Sequence, residues 1–240
     1  MELVKPTRTD LEGMPSKNVI KQYEVGGYYH LYNRGVEKRV IFEDEQDYKT
    51  FISYLKIYLT PANLQGRTLK DENGKTVSPS RAINNFLDDI VLYSYCLMPN
   101  HFHLLVKQNS ERAIASFMQS IITKYVRYFN TRYKRVGGLF QDKYKCVKIE
   151  SEEQYTYISK YIHRNPLPEN PTRTDLEGLK SYKYSSYGNY LELFKQSWVK
   201  TEDVLSYFSK FHPKDSYQAF VEESDDVLSV YLDMIDMDEE

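Results

Sequence analysis

Two periods of hydrophobic and polar positions run through this chain, and they mark its elements. Residues 28–34 (Tyr-Tyr-His-Leu-Tyr-Asn-Arg) read as a first strand, closed by Gly35. Over 44–59, Tyr48, Phe51, Ile52, Leu55 and Leu59 recur at three- and four-residue steps, the period of a helix with one buried face. Residues 90–97 and 102–107 are two further strands, separated by the tight turn Met98-Pro99-Asn100. A long amphipathic helix is predicted over 111–133, with Ile114, Phe117, Ile121, Ile122, Tyr125 and Phe129 on its inner side. Gly137-Gly138 breaks the chain, and 144–149 form a fourth strand. Ser151-Glu152-Glu153-Gln154 fits a capping box that starts a helix running to about Arg164, where Pro166 stops it.

This order of elements predicts an α+β fold with a ferredoxin-like β-α-β-β-α-β core. Four antiparallel strands form one sheet with helices on one face. The trailing helix 151–164 can then lie beside the central strand, and a helical extension follows towards the C-terminus. We expect a loose arm at 1–16, the main domain at 17–190 and a C-terminal extension at 191–240. The polar stretch 60–88 is a long insertion for a compact domain. Within it Asn73-Gly74 could close a small hairpin between 67–70 and 76–78. The octapeptide Pro-Thr-Arg-Thr-Asp-Leu-Glu-Gly occurs at 6–13 and again at 171–178, and both copies read as loop ending in glycine.

Composition changes this picture in two places. The 240 residues carry a net charge of −2, but residues 222–240 hold nine acids and no bases, so residues 1–221 stand at +7. Residues 110–148 alone hold nine Lys and Arg against Glu111 and Asp142. Lys124, Arg127, Arg132, Lys134 and Arg135 interleave there with Tyr125, Tyr128, Phe129 and Tyr133, which suits a phosphate-binding surface or a solvated helix face. Apolar Val227, Leu228, Val230, Tyr231, Met234 and Ile235 give the acidic tail a helical spacing. Tyrosine is abundant, with 23 copies that serve as packing residues with a polar tip or as stacking platforms for bases. No apolar run approaches the roughly 20 residues of a membrane span, and no signal core opens the chain, so a cytoplasmic protein is expected. Cys96 and Cys146 lie in predicted strands and read as small buried residues.

Candidate chemistry centres on Asn100-His101-Phe102-His103. On a strand, residues i and i+2 share a face, so His101 and His103 project side by side while Phe102 enters the core. Two such imidazoles can converge on one divalent cation, or be satisfied as ordinary strand histidines; H-x-H spacing alone admits both. On the last helix, Tyr161 and Asn165 are i and i+4 and share a face. The two histidines and the Asn165 oxygen can hold Mg²⁺ or Mn²⁺, and the Tyr161 oxygen can attack phosphorus. Tyr155 and Tyr157 are alternative nucleophiles. His30 could meet the metal edge or DNA, or serve as a structural strand histidine. His163 lies about 200° around the helix from Tyr161 and faces away.

Three blocks together carry a resemblance: Tyr29-His30-Leu31-Tyr32-Asn33-Arg34-Gly35, Leu97-Met98-Pro99-Asn100-His101-Phe102-His103-Leu104-Leu105 and Tyr161-Ile162-His163-Arg164-Asn165-Pro166. In this order they resemble the single-tyrosine HUH transposases, and more closely the REP-associated tyrosine transposase (IS200-like) branch. Ser181-Tyr182-Lys183-Tyr184-Ser185-Ser186-Tyr187 is similar to that branch's segment after the catalytic helix. The likeness spans roughly residues 24–190. It implies a metal-dependent endonuclease and strand transferase acting on single-stranded or hairpin DNA through a 5′-phosphotyrosine. It implies His101, His103 and Asn165 as metal ligands, Tyr161 as the nucleophile that fits the motif, and Mg²⁺ or Mn²⁺ as cofactor. The long insertion and the acidic tail depart from the simpler members, so monomer and homodimer are both open. The alternatives are a domesticated DNA- or RNA-binding protein on the same fold, and an HUH replication initiator or relaxase.

Overall fold

The structure, a computed structural model, describes residues 23–61, 85–168 and 170–223, with two short strands at 69–70 and 76–77. The 1–16 arm, most of the 60–88 insertion and the acidic tail beyond residue 223 lie outside the described residues.

Strand β1 is Tyr28–Arg34 and helix α1 is Glu45–Tyr58. The α1 start is fixed by Asp44, whose carboxylate accepts from the Gln46 and Asp47 amides, two donors that a helix cannot satisfy internally. The expected small hairpin forms as β2, Leu69–Lys70, paired with β3, Thr76–Val77. Then come β4, Ile90–Met98, and β5, His101–Gln108, followed by α2, Ala113–Arg132. Strand β6 is Lys145–Ile149 and α3 is Glu152–Arg164. At the head of α3 the Ser151 hydroxyl accepts from the Gln154 amide, and the Gln154 side chain accepts from the Glu150 amide, one residue outside the usual box.

The main sheet runs β4-β5-β1-β6, and every neighbouring pair is antiparallel. That order makes β1, α1 and β4 a split unit with β5 inserted between its strands, which is the ferredoxin-like core. Register follows burial. Leu31, Leu97, Phe102, Leu104 and Val106 face one side, where α1 and α2 cover them with Phe51, Leu55, Phe117 and Ile121. Burying side chains of this size stabilises by roughly 1.5–3 kcal/mol each. The opposite face, with Tyr32, Tyr93, Cys96 and Leu105, receives Tyr155, Ile158 and Ile162 of α3.

Beyond α3 the chain forms α4 (Arg173–Lys180), α5 (Tyr187–Tyr190), α6 (Glu202–Leu205) and α7 (Tyr217–Glu222). The octapeptide at 171–178 is not the loop its composition suggests. Thr172 and Asp175 bond each other's backbone amides in a full capping box, and this starts α4 with Gly178 inside it. The copy at 6–13 lies outside the described residues. Between α4 and α5 the chain runs along the outer edge of β4: the Leu97 amide donates to the Tyr184 carbonyl and the Ser186 amide to the Tyr95 carbonyl. This covers backbone groups that an edge strand would otherwise expose. Both cysteines are free thiols in strands, Cys96 buried and Cys146 half-buried.

Candidate active site

The α3 face of the sheet carries alternate residues of β5 and β1, and the pairing Arg34↔His101 and Tyr32↔His103 sets His30 and His103 next to each other. The His101 and His103 rings lie 5.0 Å apart, nearly perpendicular at 86°. Tyr161 of α3 meets His103 edge-on at 5.3 Å and His30 at 5.8 Å. One turn on, Asn165 places its Oδ1 2.8 Å from His101 Nε2. Two sequence-distant segments, β5 and the end of α3, thus bring the predicted metal ligands and nucleophile to one spot.

Hydrogen bonding fixes how His101 is presented. Asn100 donates from Nδ2 to the Lys38 carbonyl, so its Oδ1 faces His101 Nδ1 at 2.6 Å. An amide oxygen only accepts, so His101 Nδ1 carries a proton. In a neutral ring Nε2 is then a lone pair, and it faces the Asn165 oxygen, a second acceptor. Two acceptors at 2.8 Å repel unless a cation or a proton lies with them. The spacing suits neighbouring ligands of an octahedral cation, whose bonds of about 2.0–2.1 Å set adjacent ligands about 3 Å apart. Among the described residues no group of three His, Cys, Asp or Glu side chains could hold a metal ion. The donor set here is two imidazoles and an amide oxygen, with open positions for water or phosphate. His103 is fully enclosed, and burial, then the nearby His101, His30 and Arg34, hold its pKa well below 6.5, which keeps it neutral and able to ligate.

The alternative tyrosines sit elsewhere. Tyr155 packs on Tyr28 and Tyr93, and Tyr157 on Phe220. His163 does face away from Tyr161: its Nδ1 pairs with the Tyr217 hydroxyl at 2.6 Å and its Nε2 with the Ser186 hydroxyl at 2.8 Å. Asn100 escaped the sequence reading as a functional residue, although it adjoins His101 in the motif. Only the Lys38 contact shows which way its amide points.

The predicted phosphate contacts are scattered by the fold. Lys124 and Arg127 ride on α2, across the sheet from the histidines. Lys124 Nζ lies 4.7 Å over the Tyr58 ring, and Arg127 is exposed. Arg132 bonds the Asp44 and Asp47 carboxylates and so clasps the end of α2 to the start of α1. Arg135 donates to Asn130 Oδ1, and Lys134 is exposed in a left-handed turn at φ 51°. The loop beyond them returns to the site's end of the sheet, where the Val36 amide donates to the Leu139 carbonyl and the Gln141 amide to the Arg34 carbonyl. A cavity of about 440 Å³ lies at the other end of β1, lined by Tyr28, Tyr155, Tyr207, Glu150, Glu152 and Asp203 among others; of the candidate residues it holds only the alternative nucleophile Tyr155. We place the chemistry at the histidines, where the donors converge, rather than there.

A ferredoxin-like sheet with an H-x-H pair facing a helix tyrosine and amide defines the class of domain. Residues 80–165, a stretch that ends on Asn165, match the family described as Transposase IS200 like. Among solved structures, the chain is similar to the REP-associated tyrosine transposase bound to a REP hairpin, at 12% identity and a TM-score of 0.49, over 77% of this chain and 97% of that one. It is also similar to a chain named as a transposase candidate from Deinococcus radiodurans R1, at 19% identity and a TM-score of 0.35, over 60% and 97%. No curated protein matches it.

Proposed function

We propose that the chain is a metal-dependent, single-strand DNA endonuclease and strand transferase. The observation that carries this reading is the convergence of His101, His103, Asn165 and Tyr161 from β5 and α3. His101 Nε2, His103 Nε2 and Asn165 Oδ1 would hold Mg²⁺ or Mn²⁺, which when bound polarises a phosphate oxygen and offsets charge in the transition state.

The chain's own groups do the rest. Tyr161 Oη attacks the phosphorus of a strand lying across the site. The Oη–P bond forms and the P–O3′ bond breaks. The phenol gives up its proton and the departing 3′-oxygen takes one up, leaving a free 3′-OH and a 5′-phosphotyrosine. Attack by a 3′-OH on that phosphotyrosine reverses the step, so strands can be rejoined without a nucleotide cofactor. Asn100 keeps the His101 lone pair on Nε2, and burial keeps His103 neutral. Exposed Lys134 and Arg127 are the proposed phosphate contacts, whereas Lys124, Arg132 and Arg135 are engaged with Tyr58, with Asp44 and Asp47, and with Asn130. A hairpin-containing strand is the proposed substrate, on the resemblance of the three motif blocks to the REP-associated branch.

The test is a pool of end-labelled single-stranded and hairpin oligonucleotides incubated with the protein and Mn²⁺ or Mg²⁺. A covalent adduct mapping by mass spectrometry to Tyr161, and absent with chelator, is the expected result. Binding without any adduct would instead support a domesticated nucleic-acid-binding protein. An adduct on Tyr155 or Tyr157 would overturn the choice of nucleophile.

A further inference from the structure

His30 stands behind the proposed ligand His103, and its role deepens the reading of that site, on which this inference rests. It lies on β1, fully buried, between the buried apolar residues Tyr29 and Leu31. A leucine at this position would bury no polar atom. The histidine leaves its Nδ1 enclosed with no hydrogen-bond partner, an arrangement that costs stability. In return it makes one directed polar contact: His30 Nε2 lies 2.9 Å from His103 Nδ1, with the rings 5.0 Å apart and 16° from parallel. Tyr32 stacks on both imidazoles, at 4.9 and 5.7 Å, and Tyr161 closes over their edges. Both rings are buried.

One proton lies between two neutral imidazoles in such a contact. If His30 donates it, His103 carries its own proton on Nε2 and that nitrogen cannot ligate. If His103 donates from Nδ1, its Nε2 keeps a lone pair directed away from His30. A ligand role for His103 selects the second arrangement. It is the same arrangement that the Asn100 oxygen imposes on His101, with an imidazole taking the place of the oxygen. We infer that His30 is a positioning residue: it accepts from His103 Nδ1–H, fixes the tautomer and plane of that ring, and so presents Nε2 to a divalent cation. Partners behind a ligating histidine typically change metal affinity by about 10–100-fold when removed.

The test uses the full chain without DNA and reads Mn²⁺ binding by the electron paramagnetic resonance of the free ion, with thermal melting alongside. His30→Phe keeps a flat ring and removes the acceptor; His30→Gln puts an amide oxygen near the original Nε2. The expected result is an about 10–100-fold weaker Mn²⁺ affinity in His30→Phe, largely restored in His30→Gln, with both variants folded. Wild-type affinity in folded His30→Phe would overturn the inference. So would a folded His30→Gln as weak as His30→Phe, because then only the imidazole's packing matters. His103→Ala separates the two levels: if it binds Mn²⁺ as tightly as wild type, the metal reading of His103 fails, and the His30 role falls with it for that distinct reason.

Discussion

His163 and His30 are both fully buried, and burial alone pulls both imidazoles down to about 3. Their surroundings differ. His163 is bonded on both nitrogens, in a chain that runs from the β4 backbone at Tyr95 through Ser186 and His163 to Tyr217 and Ser159. It ties α3 to β4 and α7, and every polar group in it has a partner. Around His30, His101 and His103, one nitrogen is left without a partner and two acceptors face each other. A buried polar network is stable when complete and costly when incomplete. The complete network marks structure, and the incomplete one is where we propose that the cation binds.

These two environments should respond differently to substitution, most of all at the incomplete one. Tyr161→Phe loses no packing volume to speak of, so the fold should survive while the covalent DNA adduct disappears from denaturing gels. Cleavage should fall to background in His101→Ala and His103→Ala as well, with binding of uncut DNA retained. If any of these three variants cuts at the wild-type rate, the incomplete network is not the catalytic one.

On the other side, His163→Leu leaves the Tyr217 and Ser186 hydroxyls short of a partner. It should cost about 2–4 kcal/mol in urea unfolding, and leave adduct formation intact in the protein that remains folded. Absence of the adduct in folded His163→Leu would erase the distinction between the two sides.

Acid gives a smaller effect that both sides share. An unfolded histidine protonates near pH 6.5, whereas His163 and His30 stay neutral in the folded chain down to about 3. Below 6.5 the unfolded state binds more protons, so stability is whole above that pH and falls as pH drops towards 3. Each imidazole should contribute about 1.4 kcal/mol per pH unit, or roughly 2 kcal/mol by pH 5. Unfolding curves at pH 7 and 5 should show His163→Gln flattening the pH dependence by that amount.

The smallest effects test the same logic among the cations. Arg132 is committed to the enclosed Asp47, which also accepts from the Tyr128 and Tyr133 hydroxyls. Arg132→Ala should therefore lower the melting temperature more than it lowers DNA affinity. Arg127→Glu and Lys134→Glu should leave the melting temperature alone. They should weaken single-stranded DNA binding and lower the salt slope by about 0.7 for each phosphate interaction removed, as read by fluorescence anisotropy.

Much of the core was legible from local pattern. The 3.6-residue period of α1 and α2, the Gly35 that closes β1, the turn at Pro99 and the Ser151 cap are short-range properties, and the elements fall within a residue or two of their expected bounds. The 171–178 segment misled, because its proline and glycine read as loop, although Thr172 and Asp175, three residues apart, carry a capping box as local as the Ser151 cap. The candidate site was half legible: once 102–107 is read as a strand, H-x-H spacing puts His101 and His103 on one face.

Backbone periodicity settles which residues share a strand face or a helix turn, without reference to the rest of the chain. It places His101 with His103, and Tyr161 with Asn165. That these two pairs meet, that His30 backs His103 across the β1–β5 register, and that Arg132 belongs to Asp47 are matters of tertiary structure. Those relations join residues tens of positions apart. They depend on strand order and on which sheet face each helix covers, and no local pattern encodes either.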